Sequence, residues 1–120
     1  MKSEPPSASL LHNGVMLIQH LDLALRFDRR FLGYMGKPAP PTGHALYLAP
    51  CRSIHTFFMR FPLDLIFVDR ELRIVRLVRN LPPWRIARGG RLTFGVIEIP
   101  VESDLTSGLH PGDKLVRVLD

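Results

Sequence analysis

The sequence predicts an α+β domain, mostly sheet, with one N-terminal helix and short helical turns. Three observations predict it. Short apolar runs bounded by Gly, Pro, Asn and Asp recur from Val15 to Leu119. One stretch departs from them: Leu23, Phe27 and Phe31 repeat at four-residue spacing, which sets them on one helical face. The length of 120 residues fits one domain. Such a chain buries roughly two thirds of the surface its unfolded form exposes, so its core needs no covalent staple.

The elements follow in order. Residues Met1 to Ser9 are polar and proline-rich and read as a disordered tail, leaving 10–120 as the domain. Asn13-Gly14 is a turn signal ahead of an apolar strand, Val15 to Ile18. Asp22 can cap a helix over Leu23 to Leu32, which Gly33 and Gly36 stop. Pro38, Pro40 and Pro41 make Lys37 to Gly43 an extended loop, and Ala45 to Leu48 is the next strand. Pro50 to Arg60 has no clean period. Leu65 to Val68, between Asp64 and Asp69, is a buried strand. Leu72 to Val78 matches both periods. Its β-branched residues and the tight Arg70-Glu71 turn before it favour a strand antiparallel to the preceding one. Leu81-Pro82-Pro83-Trp84 ends that strand. Gly89-Gly90 is a turn, Leu92 to Ile99 a strand, and Ser103 to Gly108 a helical turn. Pro111-Gly112-Asp113 leads into a last strand, Leu115 to Leu119.

Composition narrows the function classes. Lys and Arg number 16 against 11 Asp and Glu, a net charge of +5. The arginines are scattered, and no basic run or RNA-binding aromatic motif appears. A solvated, arginine-rich surface therefore outweighs a nucleic-acid interface. One cysteine, Cys51, rules out an intramolecular disulfide and suits a reducing compartment. No apolar stretch approaches a membrane span, and the N-terminal residues lack a signal-peptide apolar run. The expectation is a cytoplasmic protein.

The run from Ala49 to Asp69 carries more information. It reads Pro50-Cys51, Ile54-His55-Thr56, Met59-Arg60, then Pro62-Leu63-Asp64 and an apolar strand ending in Asp69. This resembles the signature of the bacterial domain-of-unknown-function 192 family. Arg30-Phe31-Leu32-Gly33, Pro83-Trp84-Arg85, Glu98-Ile99-Pro100, Gly108 and Gly112-Asp113 also fit. The resemblance spans roughly residues 14 to 119. It implies a compact, mostly antiparallel, barrel-like sheet with short helices, and no particular reaction. The chain departs from the family at Val101-Glu102, where a small residue and Gly are usual; that Gly would permit positive φ.

The candidate site residues are Cys51, Ser53, His55, Thr56, Met59, Asp64, Trp84, Arg85 and Glu98. A Cys-His pair is the minimum for thiol catalysis, with Asp64 or Glu98 as the orienting acid. No glycine-rich turn follows Cys51 to supply an oxyanion hole, and a buried structural thiol outweighs a nucleophile. Cys51, His55 and Asp64 could also ligate zinc, but no other histidine is paired in spacing with His55, so neither metal nor cofactor is expected. Asp64 is expected to accept from Thr56 or from loop amides and to share a polar cluster with His55. Glu98 is expected to pair with Arg60 or Arg52. Trp84 is expected to plug one end of the barrel, and Phe57, Phe58, Met59 and Phe61 to fill the core. The favoured reading is a binding module for a small molecule or a protein, its pocket near the Cys51–Asp64 loop and Trp84-Arg85 on the rim. The alternative is a hydrolase or transferase using Cys51, His55 and Asp64.

Overall fold

The computed structural model of the chain describes residues 7–24, 36, 38–101 and 105–119. Among these residues nine strands run in order: β1 (Ser7–His12), β2 (Val15–Ala24), β3 (His44–Leu48), β4 (Ser53–His55), β5 (Leu63–Val68), β6 (Ile74–Leu81), β7 (Ile86–Arg88), β8 (Gly95–Pro100) and β9 (Leu115–Leu119). Seven form one sheet in the order β6-β5-β8-β3-β2-β1-β9, and β4 and β7 form a separate antiparallel ribbon. Every pair in the sheet is antiparallel except β2 with β3.

The sheet curls into a partly closed barrel. Its two edge strands approach at one end, where Arg73 bridges Lys114 and the Leu115 amide donates to the Leu72 carbonyl at 2.9 Å. The concave side holds Leu10, Ile18, Leu21, Tyr47, Ile66, Ile97, Ile99 and Leu115. The convex side carries a second apolar layer of Leu46, Leu48, Leu63, Leu65, Phe67 and Val96, which the ribbon covers with Ile54 and Ala87. The central strands β5 and β8 are therefore buried throughout. That explains their unbroken apolar runs, because a strand covered on both faces has no solvent side to alternate with.

The fold class is all-β, which corrects the α+β expectation. No helix occurs among the described residues. Asp22, Leu23 and Ala24, read as a helix start, belong to β2 and pair with Leu46, Tyr47 and Leu48 of β3. Leu21 and Leu23 both face the concave core, so alternation at period two prevails there over the four-residue spacing. Residues 25–32 of that expected helix lie outside the described residues. Residues 105–108 form turns rather than a helical turn, and 102–104 lie outside the described residues. β1 takes up Ser7 to Ser9, and β8 begins at Gly95 rather than Leu92.

Other expectations hold. Asn13 and Gly14 have φ of 54° and 77°, as a two-residue hairpin turn between β1 and β2 requires. β5 and β6 are antiparallel neighbours with Ile66 opposite Leu77. Asp69 closes their turn by accepting the Glu71 and Arg73 amides, each at 2.9 Å.

Candidate functional site

The structure separates the two acids proposed for the site. Asp64 and Glu98 lie on adjacent strands, β5 and β8, one step out of register, so they face opposite sides of the sheet. Asp64 points to the concave side near the end of β6. Its carboxylate accepts the Asn80 amide at 2.7 Å and the Thr106 hydroxyl at 3.0 Å. Arg79 completes the knot by donating to Thr106 Oγ1 at 3.2 Å and to the Thr106 and Leu109 carbonyls at 2.8 and 3.1 Å. Asp64 thus ties β5, β6 and the 105–109 turn together. It does not accept from Thr56, as the sequence suggested. His55 lies elsewhere, with Nδ1 accepting the Phe57 amide at 3.2 Å and its ring stacked on Phe57. Among the described hydrogen bonds the two share no partner, and the expected His55–Asp64 cluster is not formed.

Glu98 faces the convex apolar layer, with Leu46 opposite it on β3 and Leu65 on β5. It is 5% exposed, and its Oε1 has no hydrogen-bond partner. Burial without a partner pushes its carboxyl up to about 8, because the charged form cannot be solvated there. The expected pairing with Arg52 or Arg60 is absent; Arg52 Nε donates instead to the Thr93 carbonyl at 3.1 Å.

Thr56 organises the ribbon. It is fully buried, and it clips the 82–85 bend to the 56–59 turn. Its hydroxyl donates to Pro82 O at 2.7 Å and accepts from the Arg85 amide at 2.8 Å. Its amide donates to Arg85 O at 2.8 Å, and its carbonyl accepts from the Trp84 and Met59 amides at 2.9 and 3.1 Å. The clip holds Phe58 and Trp84 at φ of 64° and 68°, conformations that cost a bulky residue on the order of 1–3 kcal/mol each. Both rings project outward, 60% and 56% exposed, and touch at a centroid distance of 4.7 Å. Trp84 is therefore not a barrel plug, and Phe58 is not core filler. Met59 is buried in the convex layer, Phe61 packs at its margin, and Phe57 is half-buried between His55 and Trp84.

Cys51 sits at a second feature. It is half-buried at the edge of the convex layer, and its thiol donates to the Ser53 carbonyl at 3.1 Å. It lines a cavity of about 690 Å³ together with Arg52, Arg70, Arg91 and Phe94. The cavity forms where three segments meet. The Cys51 amide donates to Phe94 O, and the Phe94 amide donates to Val68 O, each at 2.8 Å. Gly89 completes the arrangement, since a Cβ there would lie 2.4 Å from the Phe67 ring. The Arg70 guanidinium stands over the Phe94 ring, 4.2 Å from its centroid. Of the two acids lining the cavity, Asp69 already holds two backbone amides, which leaves Glu71.

Two groupings thus replace the single site read from the sequence. Ser53, His55, Thr56, Met59, Trp84 and Arg85 belong to the ribbon and its turns, and Cys51 belongs to the cavity. Asp64 and Glu98 belong to neither. Arg70, Arg91 and Phe94 escaped sequence reasoning because Arg70 comes from the β5–β6 turn and the other two from the β7–β8 turn, with no shared motif. Among the described residues, no cluster of His, Cys, Asp and Glu is placed to hold a metal ion.

This fold and loop define a recognisable class. Residues 10–117 match the domain of unknown function 192 family, described as Uncharacterized ACR, and the chain belongs to that family. A UPF0127 protein of Pyrococcus abyssi is 35% identical over 101 residues, covering 79% of this chain and 83% of its own length. One from Pyrococcus horikoshii is 35% identical over 100 residues, 78% of this chain and 83% of its own. These relatives are archaeal, so the bacterial label read from the sequence is too narrow. A crystal structure of a protein of unknown function from Novosphingobium aromaticivorans shares the fold. Its TM-score is 0.77 at 20% identity, over 92% of this chain and 83% of that one.

Proposed function

We propose that the chain is a binding protein that takes a small anionic ligand in the Cys51–Phe94 cavity. The observation that carries this reading is the cavity's wall: Arg52, Arg70 and Arg91 converge on about 690 Å³, with Glu71 the acid left uncommitted by backbone amides. That volume lies within the usual range for small-molecule sites. Guanidinium groups offer forked N–H donors that match carboxylate or phosphate oxygens. Arg70 is already oriented by its stacking on Phe94, so little of its freedom remains to be lost on binding.

Binding is better supported than catalysis. The Cys51 thiol is directed to the Ser53 carbonyl, His55 Nδ1 to the Phe57 amide, and Asp64 to the other side of the sheet. The test is thermal unfolding with inorganic phosphate, pyrophosphate, a nucleoside monophosphate and citrate at matched ionic strength. At least one should raise the midpoint, and Arg70→Ala should abolish the rise. If none raises it, or if Arg70→Ala leaves the rise intact, the reading fails.

A further inference from the structure

The ribbon presents two unlike faces. Ile54 and Ala87 point inward to the convex layer. The alternate positions point outward in cross-strand pairs, Ser53 with Arg88 and His55 with Ile86. Phe57 and Trp84 extend the same rows, with ring centroids 5.7 Å apart. Phe58, Trp84 and Ile86 are each more than half exposed. The tip is held in place: the Thr56 bonds fix one side, and the Gly36 amide donates to Phe58 O at 3.0 Å on the other.

The charged residues of the two segments that build this face have one sign. Residues 51–63 and 82–95 contain five exposed arginines and no Asp, Glu, Asn or Gln; Arg52 and Arg91 line the cavity, which leaves Arg60, Arg85 and Arg88 to this surface. Arg76 reaches over from β6 to donate to the Arg88 carbonyl and adds a further cation. We infer that the outward face of the β4–β7 ribbon docks on an anionic lipid bilayer, with Phe58, Trp84 and Ile86 entering the headgroup region and the arginines meeting lipid phosphates.

Three features favour this occupant. Projecting aromatic and aliphatic side chains ringed by arginine suit an interface that is apolar below and anionic above. A sugar would need directional acceptors for its hydroxyls, and neither segment supplies an acid or amide side chain. Bases would need open ring faces. Here Phe57 is already stacked between His55 and Trp84, and Trp84 is tilted 59° against Phe58.

The experiment uses the whole protein and its single tryptophan. It is mixed with vesicles of equimolar phosphatidylglycerol and phosphatidylcholine, and separately with phosphatidylcholine alone. The expected result is sedimentation with the anionic vesicles only, with a blue shift of Trp84 emission that raised salt reverses. Arg85→Gln with Arg88→Gln should weaken this binding roughly tenfold or more, on the scale of one headgroup contact per arginine. Phe58→Asn and Trp84→Asn should do likewise by sedimentation, since Asn tolerates the left-handed backbone at both positions. Phe58→Asn should keep any anion-induced rise in unfolding temperature, which separates this surface from the cavity. Equal binding to both vesicle types, no sedimentation, or an oligothymidylate that shifts Trp84 emission while vesicles do not would each overturn the inference.

Discussion

Asp64 and Glu98 are two acids on neighbouring central strands, both almost fully buried, and the sheet treats them in opposite ways. Asp64 receives an amide and a hydroxyl, and its carboxylate serves as a tie between segments far apart in sequence. Glu98 receives nothing at Oε1, and its proton stays on to about pH 8. Burial is common to both, so the partner decides whether a buried acid orders the chain or merely resists ionising.

The largest expected effect tests the Glu98 half. The folded carboxyl holds its proton to about 8, whereas the unfolded one releases it from 4.5. Between those values the unfolded state binds fewer protons, so stability falls as pH rises through the window and levels off above it. The loss is on the order of 5 kcal/mol. Glu98→Gln should remove that part of the slope in urea unfolding measured from pH 5 to 9. Superimposable profiles for the two proteins would break the comparison.

The next effect belongs to Asp64. Asp64→Ala strands the Thr106 hydroxyl and the Asn80 amide and should destabilise by about 3 kcal/mol. Asp64→Asn, which keeps one acceptor, should lose less; equal losses would mean that the side chain acts through packing alone. Thr56→Val should cost about 1–2 kcal/mol, because its hydroxyl both donates and accepts in a buried position. It should also alter the emission of Trp84, whose amide bonds to the same residue. An unchanged spectrum would sever the link between clip and ring. The smallest effect is at Cys51, where Cys51→Ser should move stability by less than about 1 kcal/mol and the native thiol should alkylate slowly at neutral pH. Rapid labelling would show an activated thiolate and reopen the catalytic alternative.

Legibility followed the distance over which each feature is determined. The β1–β2 turn was readable because Asn13-Gly14 dictates it locally, and the β5–β6 pair because Asp69 and the following turn do. The family signature from Ala49 to Asp69 was readable as a string. Strands β4 and β7 were not, because three residues show no period and each exists through the other. The partners of Asp64 are not legible locally, because Thr106 lies 42 residues away. Trp84 reads as a barrel plug from the sequence, yet its ring is exposed. Its exposure depends on the Thr56 bonds, which no local pattern announces. The cavity is legible only through Cys51; its arginines gather through the turns after β3, β5 and β7.

One pairing bears on how the molecule is made. β1 lies between β2 and β9, with Ala8 opposite Leu119. On the ribosome β1 emerges early and can join β2 at once through their short turn, but its other edge stays open while most of the domain is being translated. An open edge of this kind is a template for mispairing with another chain. Ligation of this seam is also a long-range event, so it should be among the slower steps of refolding. A nascent chain halted before β9 would carry most of the sheet with one edge of its first strand unguarded.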